Sequence, residues 1–215
     1  MTSENVYLWG ILPDDLPDGG MGGLLEVWLD IIEPDGDTYP YVVRREGADE
    51  NIWGESADRE SLRTLFDECT SVKLANPAQR RSATYRDLSV TVTAFGPAKS
   101  HPRAPLWYLS SGTRQFRPDR GRDDESIVDR IAELLELAKT AHSRTEAVFT
   151  YADVMDEPYD HDVHPTRDRV VARGLEQLYW LNVFDSAFAD AIGREKLLAL
   201  DAYECEELPD GSVSL

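Results

Sequence analysis

The spacing of apolar residues changes several times along the chain, and each change predicts an element. Residues 6–12 and 24–32 are apolar, branched or aromatic runs separated by the turn-rich PDDLPDGGMGG, and residues 39–45 follow the turn signal EPDGD. Alternation in the second run puts Leu25, Val27, Leu29 and Ile31 on one face and Glu26, Trp28, Asp30 and Ile32 on the other, the pattern of a strand with one packed and one wetter side. The first third is therefore expected to hold three antiparallel strands.

The period then becomes helical. Over 56–74, Leu62, Leu65, Phe66, Cys69 and Val72 recur at helix spacing behind a charged first turn of Asp58, Arg59 and Glu60, and Asn76-Pro77 stops the run. Strict alternation returns at 85–95, where Leu88, Val90 and Val92 face away from Ser89, Thr91 and Thr93. A short strand follows at 106–109. A helix opening at Asp124 or Ser126 and ending near His142 carries an apolar stripe of Ile127, Ile131, Leu134, Leu135 and Ala138. Beyond it the pattern predicts a strand over 146–151, an unpatterned loop over 152–168 and a strand within 173–184. It closes with a helix over 187–200 broken near Gly193 and a terminal hairpin around Pro209-Asp210-Gly211.

Strands and helices interleave without strict βα alternation, so the expected fold class is α+β. The sheet is mostly antiparallel, with two or three helices packed on one face. The β, α, β succession recurs roughly in each half, which allows a pseudo-duplicated sheet with lobes 1–100 and 101–215 inside a single domain of 215 residues.

Composition narrows the function classes. With 41 acidic and 22 basic residues the formal net charge is −19, and arginine outnumbers lysine 18 to 4. Such a charge repels phosphate backbones, so no nucleic-acid partner is expected. It steers a basic partner into contact, or it reflects adaptation to a saline cytoplasm, and the two are compatible. Residues 1–15 carry no positive charge ahead of a short apolar run, and the run near 187–200 is interrupted by Asp190, Arg194, Glu195 and Lys196, so neither a secretory signal nor a membrane partner is expected. The localisation expected is cytoplasmic. Cys69 and Cys205 have no zinc-type spacing and read as buried reduced thiols.

Candidate chemistry is sparse. Asp153, Asp156, Glu157, Asp160, His161, Asp162 and His164 include the ligand types of zinc or manganese, yet they match no metal motif. They read chiefly as a solvated acidic loop, with His161, His164 and Asp160 its weak metal candidates. The GGMGG run at 19–23 lacks the lysine and serine or threonine of a phosphate loop and is expected to lead into a strand. No nucleophile elbow is present. The expectation is a protein that is not an enzyme and needs no cofactor.

Binding has better candidates. Arg114, Arg117, Arg120 and Arg122 form a basic patch around Phe116, able to grip a carboxylate or to pair with the neighbouring acids. Trp9, Trp107 and Trp180 lie inside apolar runs and read as core. Trp28 and Trp53 sit in more polar surroundings, so Trp28, Trp53, Arg117 and Arg120 are the candidate partner-binding residues.

One segment resembles a known family. Tyr179-Trp180-Leu181-Asn182-Val183-Phe184, Gly193-Arg194-Glu195-Lys196-Leu197-Leu198 and the run from Ala202 through Glu206-Glu207 to Asp210-Gly211 are similar to the tail of immunity proteins of polymorphic and type VI toxin systems, the immunity protein 52 family in particular. Asp185-Ser186 departs from the Gly-Pro of that pattern. The resemblance implies a protein that binds a protein partner, such as a toxin domain, and neutralises it by surface contact, with no catalytic residues to carry over. The alternative is an accessory or structural component of a virus or other particle from a salt-adapted organism.

Overall fold

The fold is taken from a computed structural model. It describes residues 5–13, 20–32, 39–44, 52–68, 71–75, 91–95, 106–116, 124–155 and 178–215, with side chains accounted for in most of these. In chain order the elements are β1 (Asn5–Ile11), α1 (Gly20–Ile32), β2 (Tyr39–Arg44), β3 (Ile52–Ala57), α2 (Arg59–Glu68), β4 (Ser71–Ala75), β5 (Thr91–Phe95) and β6 (Leu106–Gly112). A short 3-10 turn (Thr113–Phe116) leads to α3 (Asp124–Arg144), β7 (Phe149–Met155), β8 (Leu181–Phe184), α4 (Ser186–Ile192), α5 (Arg194–Leu198), β9 (Glu206–Glu207) and β10 (Val213–Ser214). The α+β class expected from the pattern is the class observed.

Among the described residues ten strands form one sheet in the order β3-β2-β4-β5-β6-β1-β7-β8-β10-β9, every pair antiparallel. The first strand of the chain thus lies between β6 and β7, so the halves of the sheet do not coincide with the halves of the sequence. Residues 6–12 are all buried, as the apolar run of a central strand covered on both faces should be.

Alternation along β1 divides two cores. Val6, Leu8 and Leu12 join Trp107, Leu109, Leu181 and Val183 beneath α1, α2 and α3. Tyr7, Trp9 and Ile11 join Tyr108, Phe149, Tyr151, Phe184 and Val213 on the opposite face, where Phe188 and Leu197 of the two short helices close the layer. Helices therefore cover both faces, where the pattern predicted one. The second layer is aromatic: the Phe149 ring stacks on Phe184 with centroids 4.8 Å apart, and Trp9 meets Tyr108 at 4.7 Å. Gly10 stands opposite Trp107 in the ladder, and a Cβ there would come within 2.0 Å of the indole, so the missing side chain is what lets the ring lie across β1.

The largest correction concerns residues 24–32, which form a helix where alternation predicted a strand. Leu24 and Trp28, and Leu25 and Leu29, are also four apart, and all four are buried. The opposite side carries Glu26 and Asp30, four apart as well, which meet Arg59 of α2 at 3.4 and 2.6 Å, while Arg144 of α3 reaches Asp30 at 3.3 Å. The Arg59 hydrogen bond, assisted by Arg144, holds the Asp30 carboxyl below its ordinary pKa against the opposing effect of burial. The three helices are clasped at their polar edges and fused at their apolar ones. Gly20, Gly22 and Gly23 of the glycine run therefore lie in a helix, contrary to expectation.

Other boundaries moved for local reasons. The helix predicted over 56–74 ends at Glu68, with Asp58 accepting the Ser61 N–H at 2.8 Å at its start, and Ser71–Ala75 forms β4. Residues 52–57 form a strand that the polar composition concealed. The strand predicted to stop at 151 continues to Met155 because β1 pairs with it throughout. Of the strand predicted within 173–184, the described part begins at Leu181. The break near Gly193 is real: φ of +111° there, a left-handed value that favours glycine, separates α4 from α5. The terminal hairpin is reduced to two-residue strands.

Candidate protein-binding surface

The carboxy-terminal unit, residues 178–215, combines a hydrogen-bonded interior with several exposed large apolar side chains. Its interior starts at Asn182, whose buried side chain donates to the Tyr179 carbonyl at 2.7 Å and accepts the Tyr179 N–H at 3.0 Å. The main chain of Asn182 exchanges two further hydrogen bonds with Leu215. Asn182 is thus structural, since a buried amide with its partners satisfied fixes a bend and a strand register together. Asp185, the departure from the family pattern, caps α4 by accepting the Phe188 N–H at 2.6 Å.

Two cations lock the unit. Arg194 reaches Asp190 and Glu207, both at 2.7 Å, the Gly211 carbonyl at 2.6 Å, and the Ser186 carbonyl and hydroxyl at 3.0 and 2.8 Å. One guanidinium fork therefore ties the start of α4, β9 and the final turn, a geometry lysine could not reproduce. Lys139 of α3, its side chain only 11% exposed, bridges Glu204 at 2.8 Å and also Glu206. Burial works against its charge, but the two carboxylates outweigh that penalty and raise its pKa. The Ser143 hydroxyl donates to Asp210 at 2.7 Å and the Ser212 N–H at 2.9 Å. These donors outweigh the burial of Asp210 and hold its carboxyl below the ordinary range.

The rim is where the apolar side chains face water. Large hydrophobic residues exposed among the described ones are Val128, Val154, Leu178, Trp180, Leu198, Leu200 and Tyr203, so five of seven fall in residues 178–203. Tyr203 is 94% exposed and Trp180 42%. Between 185 and 210 the sequence has eight acidic residues and two basic ones, and Arg194 is already paired with Asp190 and Glu207. The result is an acidic field set with isolated exposed apolar side chains.

The sequence-predicted residues are distributed differently. Trp28, expected on a wetter strand face, is completely buried because α1 turns it against Trp107, ring centroids 4.8 Å apart. Trp180, read as core, is exposed. Trp53 lies on β3, with its side chain outside the described residues, and Arg117, Arg120, Asp160, His161 and His164 lie outside them altogether. Among the described residues no group of three or more His, Cys, Asp or Glu is arranged to hold a metal ion, and no helix is long and apolar enough to cross a membrane. Tyr203, Lys139 and Arg194 were not anticipated. The signal for Tyr203 was present: it is the one aromatic in DAYECEE, set among Asp201, Glu204, Glu206 and Glu207.

No family model matches the sequence, and no curated protein matches it. Among solved structures the chain is similar to the Pseudomonas aeruginosa T6SS protein PA0821, at 12% identity and a TM-score of 0.49, covering 99% of this chain and 67% of that one. A likeness at that level leaves function to be argued from the surface itself.

Proposed function

We propose that this chain is an immunity-type binding protein that neutralises a protein toxin by covering it, and that it performs no catalysis. The observation that carries this reading is the gathering of exposed apolar side chains at 178–203 inside an acidic frame in which Arg194, and Lys139 reaching in from α3, are spent on internal pairs. Hot-spot interfaces need large anchors held in place, and opposite charge accelerates their encounter. The tail motif points the same way: its Asn and Gly-Arg residues build the scaffold, while its Trp180 and Leu198 reach solvent. Inhibition by occupancy asks nothing of a cofactor.

Co-expression tests the reading. Cells carrying the toxin gene adjacent to this one should survive when the chain is present, and the two proteins should purify as a stoichiometric complex. Survival unaffected by the chain, or recovery of the chain at fixed copy number in a purified particle, would displace the immunity reading in favour of a structural one.

A further inference from the structure

We propose that the segment running from Leu198 to Glu207 is the part of the surface that enters the partner. In this proposal Tyr203 is the inserted anchor, and the partner is a basic protein face with an apolar cleft. The inference deepens the binding reading given above and rests on it. Three observations converge. Tyr203 is 94% exposed, far more than any other large hydrophobic residue among the described ones. The chain on both sides of it is fastened: after it, Glu204 and Glu206 are held by Lys139 and the Cys205 thiol donates to the Leu197 carbonyl at 3.5 Å, and before it the Leu200 N–H donates to the same carbonyl at 3.1 Å. An exposed ring on a held loop gives up little conformational entropy on docking, which is what an anchor requires. Finally, Asp201, Glu204 and Glu207, all exposed, lie within four residues of it, and with Asp190 and Glu206 they outnumber the paired Lys139 and Arg194, so the cleft that receives the ring is one rimmed by lysine or arginine.

Lys139 is then a positioning residue. It is largely covered, so it has little surface of its own to offer a partner, yet it sets where Tyr203 stands by cancelling the mutual repulsion of Glu204 and Glu206.

The test places a photo-crosslinking phenylalanine derivative at position 203, and as a control at Val128, which is 56% exposed on α3, in the full chain within its native cells. The expected result is one basic protein crosslinked from 203 and absent from 128, with crosslinking suppressed at about 0.5 M salt, where the Debye length is roughly halved. Purified, that protein should bind the Tyr203→Ala chain at least tenfold more weakly. Lys139→Met should also weaken binding, and Lys139→Arg should restore it, with circular dichroism confirming that each variant is folded. Crosslinking to a second copy of the chain, to an acidic protein, equally from 128, or to nothing would overturn the proposal. The two readings fail separately. A toxin neutralised equally well by the Tyr203→Ala chain removes this anchor and leaves immunity standing. A basic, Tyr203-dependent partner that is not a toxin leaves the anchor standing and removes immunity.

Discussion

Helix α1 and the carboxy-terminal unit each carry a tryptophan in a run that is apolar by composition, and the two indoles have opposite fates. Trp28 is sealed under the sheet with no exposed surface, while Trp180 stands at a bend with 42% of its surface in water. Local pattern suggests the reverse, since Trp28 shares its strand-spaced face with Glu26 and Asp30, two positions to either side, while Trp180 lies between Tyr179 and Leu181. What separates them is the partner each finds. The helical turn of α1 moves Glu26 and Asp30 to an edge where Arg59 and Arg144 neutralise them, freeing Trp28 to face Trp107. The bend closed by Asn182 ends β8 before it reaches Trp180. Burial belongs to the neighbourhood that a residue's secondary structure puts it in, and the surrounding letters are a poor guide to it.

The most direct way to break this comparison is to truncate both indoles. Trp28→Ala should cost about 3–5 kcal/mol, the usual penalty for emptying a fully buried aromatic site, and yield a protein that melts far earlier or does not accumulate. Chemical denaturation of both variants is the measurement, and an insoluble Trp180→Ala beside a stable Trp28→Ala would reverse the assignment.

His142 sharpens the picture between the two regions, since α3 carries it beneath the sheet beside Thr150, 3.0 Å from its Nδ1. Burial drives its pKa down to about 4, only partly opposed by the Asp210 carboxylate. The unfolded chain, with an ordinary value near 6.5, takes up the proton first as the pH falls. The stability associated with neutral His142 is therefore complete above about pH 6.5 and is lost progressively down to about pH 4, by about 3 kcal/mol in total. Denaturation midpoints measured across that window should fall in the native chain and fall much less in His142→Gln; parallel curves would show that the histidine is not held neutral.

Gly10→Ala should destabilise the core side by about 1–3 kcal/mol or more through overpacking, because its new methyl group meets the Trp107 indole at 2.0 Å. A second change, Trp107→Leu, should recover part of that loss in a double-mutant cycle, and strict additivity would deny the contact. The smallest effect is expected at the rim: Trp180→Ala should shift stability by less than about 1 kcal/mol, as exposed positions usually do, while weakening partner binding. A related titration concerns the overall charge of −19. If it reflects salt adaptation, melting temperature should climb steeply between 0.1 and 1 M salt as the Debye length shortens from about 10 to about 3 Å. A flat response would leave partner steering as the reason for the acidity.

The sequence by itself determined the α+β class, the central apolar strand at residues 6–12, the long helix ending near His142 and the interruption at Gly193, because each depends on a periodicity or a backbone preference that is local. It also displayed the acidic tail in which the candidate surface lies. It could not choose between helix and strand at 24–32, where the apolar residues satisfy a period of two and a spacing of four alike, and only the helical solution brings Glu26 and Asp30 to Arg59. Nor could it reveal that Lys139 would meet Glu204 from 65 residues away, or that Arg194 would close a turn 17 residues ahead of it. Those pairings exist because an antiparallel sheet of ten strands brings distant segments side by side. Exposure was decided there too: the sheet had two faces to fill, and once aromatic side chains and the described helices had covered both, Trp180 and Tyr203 were left exposed.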